Sequence, residues 1–365
     1  MTRTYTARRR ELASLRLAAQ TIQLPSGREA PPDAAATVRR LLAVQAQDFA
    51  GATWSVGLRT PGATSAAIET ALASGEIVRS WPMRGTLHFV APEDLGWMLS
   101  LTAARTIRSA AGRHRDLELA EPDFERAREA ALEHLAGGRA ATRDELLSFI
   151  EAAGVAVTGQ RGIHLIQRLS QWRVLVYGPL VGRQQTFALL DEWVRHPRQL
   201  DRDEALGEFA GRYFAGHGPA TVRDFAWWSS LTLGDARRGL EIARPQLDEL
   251  DVDGTAYFLA RDLAPAGRAV HALPGFDEFL LGYQDRTAPL APDHAERVVP
   301  GKNGLFLPTI VVGGEVVGTW RRTVGAKTVT VETHPFEPLS ARDSAAFDAA
   351  LARYARFVGR ALVRS

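Results

Sequence analysis

Three recurrences of helix, helix and β-hairpin, followed by a strand-rich C-terminal stretch, predict an α+β protein. The clearest recurrence joins AATRDELLSFI (residues 140–150) to PATVRDFAWWS (residues 219–229), each with an N-capping threonine opening an amphipathic helix. A helix and then paired β-rich runs follow both copies, which is the order of a winged helix. After residue 262 the pattern changes to alternating strands with glycine turns.

The N-terminal part has the same layout with longer spacers. A helix is expected over about Arg10–Gln20, a second over Ala34–Val44 and a third over Thr64–Ser74, and IVRSWPMRGTLHFV then supplies a strand pair around Pro82. In the second module, RGIHLIQRLSQWRVLVYGPLVGRQQTFALL predicts a helix through about Trp172 and two β runs separated by Gly178-Pro179. In the third, a helix starts near Gly234 and strands turn at Asp253-Gly254. LPGFDEFLLGY then reads as a short helix or turn, and GLFLPTIVVGGEVVGTWRR with KTVTVE as strands around a Gly313-Gly314 hairpin. The expected organisation is winged helices over residues 1–115, 116–198 and 199–262, closed by a β-rich element over 263–365. No low-complexity linker separates them, so they are expected to pack into a single body.

Composition narrows the chemistry. The chain has 365 residues, 45% of them hydrophobic, enough for an ordinary core without staples. It has no cysteine, which excludes disulfides, thiolate metal sites and cysteine nucleophiles and makes the cytoplasm the expected compartment. The basic N-terminus MTRTYTARRRELASL runs into an amphipathic helix without an apolar core, and no run of about 18 apolar residues occurs, so no signal peptide or membrane span is expected. A net charge of +2 is too small for a polyanion coat. Lys302 and Lys327 are the only lysines, so a Schiff-base mechanism would depend on one of them or on the N-terminal amine. No GxxxxGK[ST], HExxH or carboxylate-rich metal run is present, and no cofactor or metal is expected.

Two features stand out. LLAVQAQDFAG (residues 41–51) places two neutral amides, Gln45 and Gln47, at the end of an apolar helical run. Strand alternation across Met83–Phe89 places Arg84, Thr86 and His88 on one face, suited to phosphate or nucleobase contact and equally to a structural hydrogen-bonding face. Winged helices mostly hold DNA in regulators, and many bind only protein.

The quoted motifs LLAVQAQDF, RSWPMRGTLHFVAPEDLGWML, LPGFDEFLLGYQDR and GLFLPTIVVGGEVVGTWRR, spread over essentially the whole chain, resemble the AlkZ/YcaQ family of bacterial winged-helix DNA glycosylases. The resemblance implies a C-shaped body around duplex DNA. It also implies catalysis by a glutamine-aliphatic-glutamine or glutamine-aliphatic-aspartate motif, here Gln45-Ala46-Gln47, with Arg84, Thr86 and His88 in support. The glutamine-glutamine branch is associated with bulky N7-alkylguanine adducts and interstrand crosslinks. A monomer acting on double-stranded DNA is expected, with Arg161, Arg168, Arg183, Lys302, Arg321 and Arg322 as candidate DNA contacts or, for each, ordinary solvated surface.

The chemistry of two amides points the same way. Neither titrates, so neither is a general acid or base. A purine alkylated at N7 or N3 is already cationic and leaves as a neutral base, so fixed dipoles and a held water suffice. An undamaged base would need acid assistance worth about 10² to 10⁴ in rate. Asp48 is expected to cap a helix or accept structurally, and Trp227, Trp228, His164, His217 and His271 to pack in cores or at surfaces. Extruding one guanine of a crosslink would drag its partner, so an open site is expected. A non-catalytic regulator or architectural protein is the alternative; it predicts sequence-specific binding and usually a symmetric dimer. A phosphodiester hydrolase would need metal ligands.

Overall fold

The computed structural model describes residues 4–6, 9–182, 184–302 and 304–364 and is an α+β protein. Two compact units make up the chain. One holds the chain up to Glu69, Leu206–Trp228 and everything from Thr232 on; the other holds Thr70–Ala205 and Ser229–Leu231.

In the first unit, the largest sheet has five strands in sequence order: Val270–Leu273, Thr309–Val312, Glu315–Val324, Thr328–Pro335 and Ala361–Arg364. The last pairs parallel and the others antiparallel. Gly313 and Gly314 make the turn of its central hairpin at φ of 60° and 95°, a left-handed backbone that costs glycine nothing. Helix Ala341–Val358, not foreseen from the sequence, packs on this sheet and on helix Phe49–Arg59. It is opened by Ser340, which accepts from Asp343 N, and closed by left-handed Gly359. Trp54 fixes the join: its ring stands 5.1 Å from Tyr354 and 5.0 Å from Phe357, and its Nε1 donates to the Ala272 carbonyl at 2.8 Å. At Gly57 a Cβ would lie 2.2 Å from Phe357, so the two helices approach more closely than any side chain there allows.

A three-stranded sheet completes this unit, with Leu247–Val252 between Thr4–Thr6 and Thr255–Ala260. Its hairpin turns at Asp253 and Gly254, both at positive φ, as expected from the sequence. Helices Arg202–His217, Val222–Ser229 and Leu233–Ala243 precede that hairpin in sequence.

The second unit carries helices Pro92–Asp116, Glu121–Leu135, Arg143–Ala152 and Arg161–Gln171, followed by the hairpin Leu175–Val181 and Gln184–Leu189. Thr142 makes the expected cap, accepting from Glu145 N while Glu145 accepts from Thr142 N. The hairpin Val78–Met83 and Thr86–Val90 joins the later one through Arg79 and Tyr177, and the Arg79 guanidinium lies 5.0 Å from the Tyr177 ring. Gly178-Pro179 does not form the turn expected there. It sits inside strand Leu175–Val181 at a register irregularity between Tyr177 and Leu180, where proline's missing N–H is tolerated. Among the described residues no helix is long and apolar enough to cross a membrane.

One buried histidine sets an acid limit on the first unit. Burial, with Arg353 and Arg59 nearby and Asp277 opposing, pushes the His271 imidazole from 6.5 down to about 4. The folded protein therefore holds His271 neutral while the unfolded chain protonates it. Stability is complete above pH 6.5 and is lost as pH falls toward 4, by up to roughly 3 kcal/mol. Denaturant unfolding at pH 7.5 and 4.5 checks this: His271→Leu should lose less stability across that interval than wild type, and equal losses would refute the assignment.

Candidate active site

The paired amides lie on a strand and loop in the first unit, not at a helix end. Helix Ala34–Leu41 begins at Asp33, whose side chain accepts from Ala36 N at 2.7 Å, and stops at Leu42, where φ is 66° and ψ −44°. The apolar spacing alone predicts helix through Val44. In that helix the Gln45 N–H would donate to the Leu41 carbonyl. It donates instead to Glu278 Oε1 at 2.9 Å, across 233 residues of sequence. Arg40 closes the helix end, donating from its guanidinium to the carbonyls of Ala19 and Ala215. Strand Ala43–Gln45 follows, entirely buried, and helix Phe49–Arg59 resumes after three loop residues. This second helix, missed from the sequence, contains Gly51, where a Cβ would lie 2.5 Å from Asp48 Oδ2 and 3.3 Å from the Gly275 carbonyl.

The two glutamines differ in environment. Gln45 is 7% exposed, and its Oε1 is buried without a hydrogen-bond partner among the described residues. Gln47, two residues on, is exposed. An orphaned buried acceptor costs about 1–3 kcal/mol, and such costs concentrate where a protein works on something else.

Beneath the strand lies a polar core that the sequence reading missed. Glu278 opens helix Glu278–Leu281 and is fully buried. Its Oε2 accepts from Trp228 Nε1 at 2.8 Å and lies 3.5 Å from His217 Nε2. Burial pushes the His217 imidazole below the usual histidine range, against the pull of Glu278. Its neighbour Asp277 meets Arg59 in a fork, 2.8 Å to Oδ1 and 2.9 Å to Oδ2, takes the Ser55 hydroxyl at 2.7 Å, and caps the helix by accepting from Phe279 N. Both charges of this ion pair are buried, so its value lies in fixing one arrangement more than in net stability. The signal was available: in LPGFDEFLLGY two adjacent acids stand inside an otherwise apolar run.

In the second unit the structure groups Arg84, Thr86 and His88, with one correction. Arg84 and Gly85 are turn residues at φ of 55° and 70°, not strand residues, because the hairpin reverses there. The Arg84 side chain still reaches His88, 3.0 Å from Nη2 to Nε2, and His88 Nδ1 lies 2.9 Å from the Thr86 carbonyl. Ser230 Oγ accepts from Arg84 N, and Gln167 Nε2 donates to the Gly85 carbonyl, so the turn is held from both sides.

The remaining candidates divide by environment. Arg161 donates to the carbonyls of Ala156, Leu117 and Glu118, tying down the end of helix Pro92–Asp116. Arg168 is buried, 2.7 Å from Glu121 Oε2 and stacked near Phe124 and Trp172 at 4.7 and 4.9 Å. Arg322 lies 3.4 Å from Asp48 and over the rings of Trp320 and Tyr354. Asp48 takes the N-cap position but makes no side-chain cap bond, its carboxylate being turned to Arg322. Arg321 is exposed on strand Glu315–Val324, and Arg183 and the Lys302 side chain lie outside the described residues. Trp228 is core, Trp227 lies 5.0 Å from the Arg286 guanidinium, and His164 stands edge-on to His114.

The strand and loop that carry Gln45 and Gln47 fall within a stretch that matches a known family of this α+β fold. Residues 38–357 match the family described as DNA glycosylase AlkZ-like, and the chain belongs to that family. Over 319 residues it is 30% identical to an interstrand DNA cross-link repair glycosylase of Streptomyces sahachiroi, covering 79% of this chain and 82% of the relative. It also matches the solved structure of Streptomyces sahachiroi DNA glycosylase AlkZ with a TM-score of 0.81 at 26% identity, over 99% of this chain and 100% of that one.

The packing of Arg168 predicts a contribution to stability. Arg168→Ala should lower unfolding free energy by about 1–2 kcal/mol through lost stacking and pairing, and leave DNA affinity within about twofold. Urea titration and fluorescence anisotropy on the same preparation measure both; unchanged stability with a large affinity loss would reverse the assignment.

Proposed function

We propose that this protein is a monofunctional DNA glycosylase that hydrolyses the N-glycosidic bond of purines made cationic by alkylation, N7-alkylguanine above all. The observation that carries the reading is the buried, unpartnered Oε1 of Gln45 on a strand held by Glu278, with exposed Gln47 two residues on. Gln45 and Gln47 are the catalytic pair. Their carbonyl oxygens favour positive charge at C1′ and hold the attacking water. The C1′–N9 bond breaks with its electron pair passing to the base, which cancels the positive charge of the alkylated ring. Water adds its oxygen to C1′ and releases a proton to solvent. No group has to protonate the base, so two amides suffice where other hydrolases use carboxyl groups.

Bulky adducts and interstrand crosslinks fall within this reading, supported by the name of the Streptomyces sahachiroi relative and by the exposure of Gln47, which suits an open site. Three winged-helix modules and the β-rich element would engage duplex DNA as a monomer in the cytoplasm. Arg84, Thr86 and His88 take the supporting role that the family resemblance implies. Arg161, Arg168, Arg183, Lys302, Arg321 and Arg322 remain the candidate backbone contacts, and the internal packing of Arg161, Arg168 and Arg322 favours a scaffold role for those three.

The test is release of free base from duplex DNA carrying N7-methylguanine, and unhooking of a duplex crosslinked through N7. Gln45→Ala and Gln47→Ala should each lower the single-turnover rate by roughly 10²- to 10³-fold, the effect of removing a preorganised dipole, with duplex affinity nearly unchanged. A wild-type protein that releases nothing from either substrate, or two variants with full activity, would overturn the proposal and leave a DNA-binding role.

A further inference from the structure

The geometry points to Glu278 as the positioning residue of the catalytic motif: its buried carboxylate sets where Gln45 stands by holding that residue's backbone N–H. This rests on the glycosylase reading above. The hydrogen bond to Gln45 N is 2.9 Å and buried. Glu278 can serve as a fixed reference because its own placement is constrained at both ends. Its side chain is pinned at the second oxygen by the Trp228 indole at 2.8 Å. Its main-chain carbonyl takes Gln20 Nε2 at 3.2 Å and Gly282 N at 2.7 Å. A Cβ at Gly282 would lie 2.7 Å from that carbonyl and 2.9 Å from His217 Cδ2, so the turn has no slack.

The chemical type of the residue is also constrained. An N–H points at each carboxylate oxygen, from Gln45 on one side and Trp228 on the other. A glutamine at 278 would have to aim its NH₂ at one of those donors, so one bond would become a donor–donor contact. A shift of about 1 Å in a reacting group costs on the order of a hundredfold in rate, which is the lever a backbone anchor exerts. Glu278 acts through Gln45 and not on the substrate, so its loss should appear in the chemical step and not in DNA binding.

The experiment compares wild type, Glu278→Gln and Trp228→Phe in the full chain. It measures single-turnover release of N7-methylguanine, duplex affinity, thermal melting and hydrogen exchange at the Gln45 backbone amide. Glu278→Gln should lower the rate roughly 10- to 100-fold with duplex affinity within about twofold, and exchange at the Gln45 amide should accelerate in parallel. Trp228→Phe, which keeps an aromatic side chain but removes the indole N–H from Oε2, should show the same pattern at smaller amplitude and carries the test if Glu278→Gln does not fold. A folded Glu278→Gln protein with the wild-type rate overturns the inference. So does a slowed variant whose Gln45 amide stays as protected as in wild type, or one whose rate and affinity fall together. If wild type itself releases no base, the glycosylase reading fails instead, and the exchange measurement still reports whether Glu278 anchors Gln45.

Discussion

A carboxylate without exposed surface accepts one N–H from the strand that ends at Gln45 and another from a tryptophan on helix Val222–Ser229. Segments separated by 233 positions of sequence in one case and 50 in the other meet on its two oxygens. Burying an acid is expensive unless its oxygens are satisfied. Each donor is therefore held as firmly as the acid requires. Beside it, Asp277 and Arg59 form a second buried junction, which brings in helix Phe49–Arg59 and, through Gln20, the end of helix Arg9–Ala19. The motif loop is thus supported by a polar core.

Much of this protein was legible in its sequence because the relevant forces are local. The Thr142 cap, the Asp253-Gly254 and Gly313-Gly314 turns and helix Arg9–Ala19 follow from residues within a few positions of one another. The failures share a different cause. Apolar spacing favours helix through Val44, but the backbone reverses at Leu42 and a distant acid takes the Gln45 N–H. Gly178-Pro179 has the composition of a turn, yet the sheet absorbs it as an irregular strand. Arg84 alternates correctly with His88 on paper, and only the reversal at Gly85 shows that it reaches His88 from a turn. The motif itself was readable from its residue types. What supports it was not, although Asp277 and Glu278 stood conspicuously in an apolar run.

The arginines teach a related point about charge. Arg59, Arg161, Arg168 and Arg322 are consumed by carbonyls, carboxylates and rings within the protein. Arginine content alone therefore does not count the cations that face a polyanion. Guanidinium groups satisfy several acceptors at once and stack well, which suits them to interior joints.

The difference in burial between Gln45 and Gln47 sets what substitution each position can accept. A glutamate at 45 would bring a second acid into a buried site whose backbone N–H already binds the buried Glu278 carboxylate, and a charge buried there would be poorly hydrated. Position 47 faces solvent, which can hydrate a new charge. An acid in this motif is therefore better accommodated at the second position than at the first.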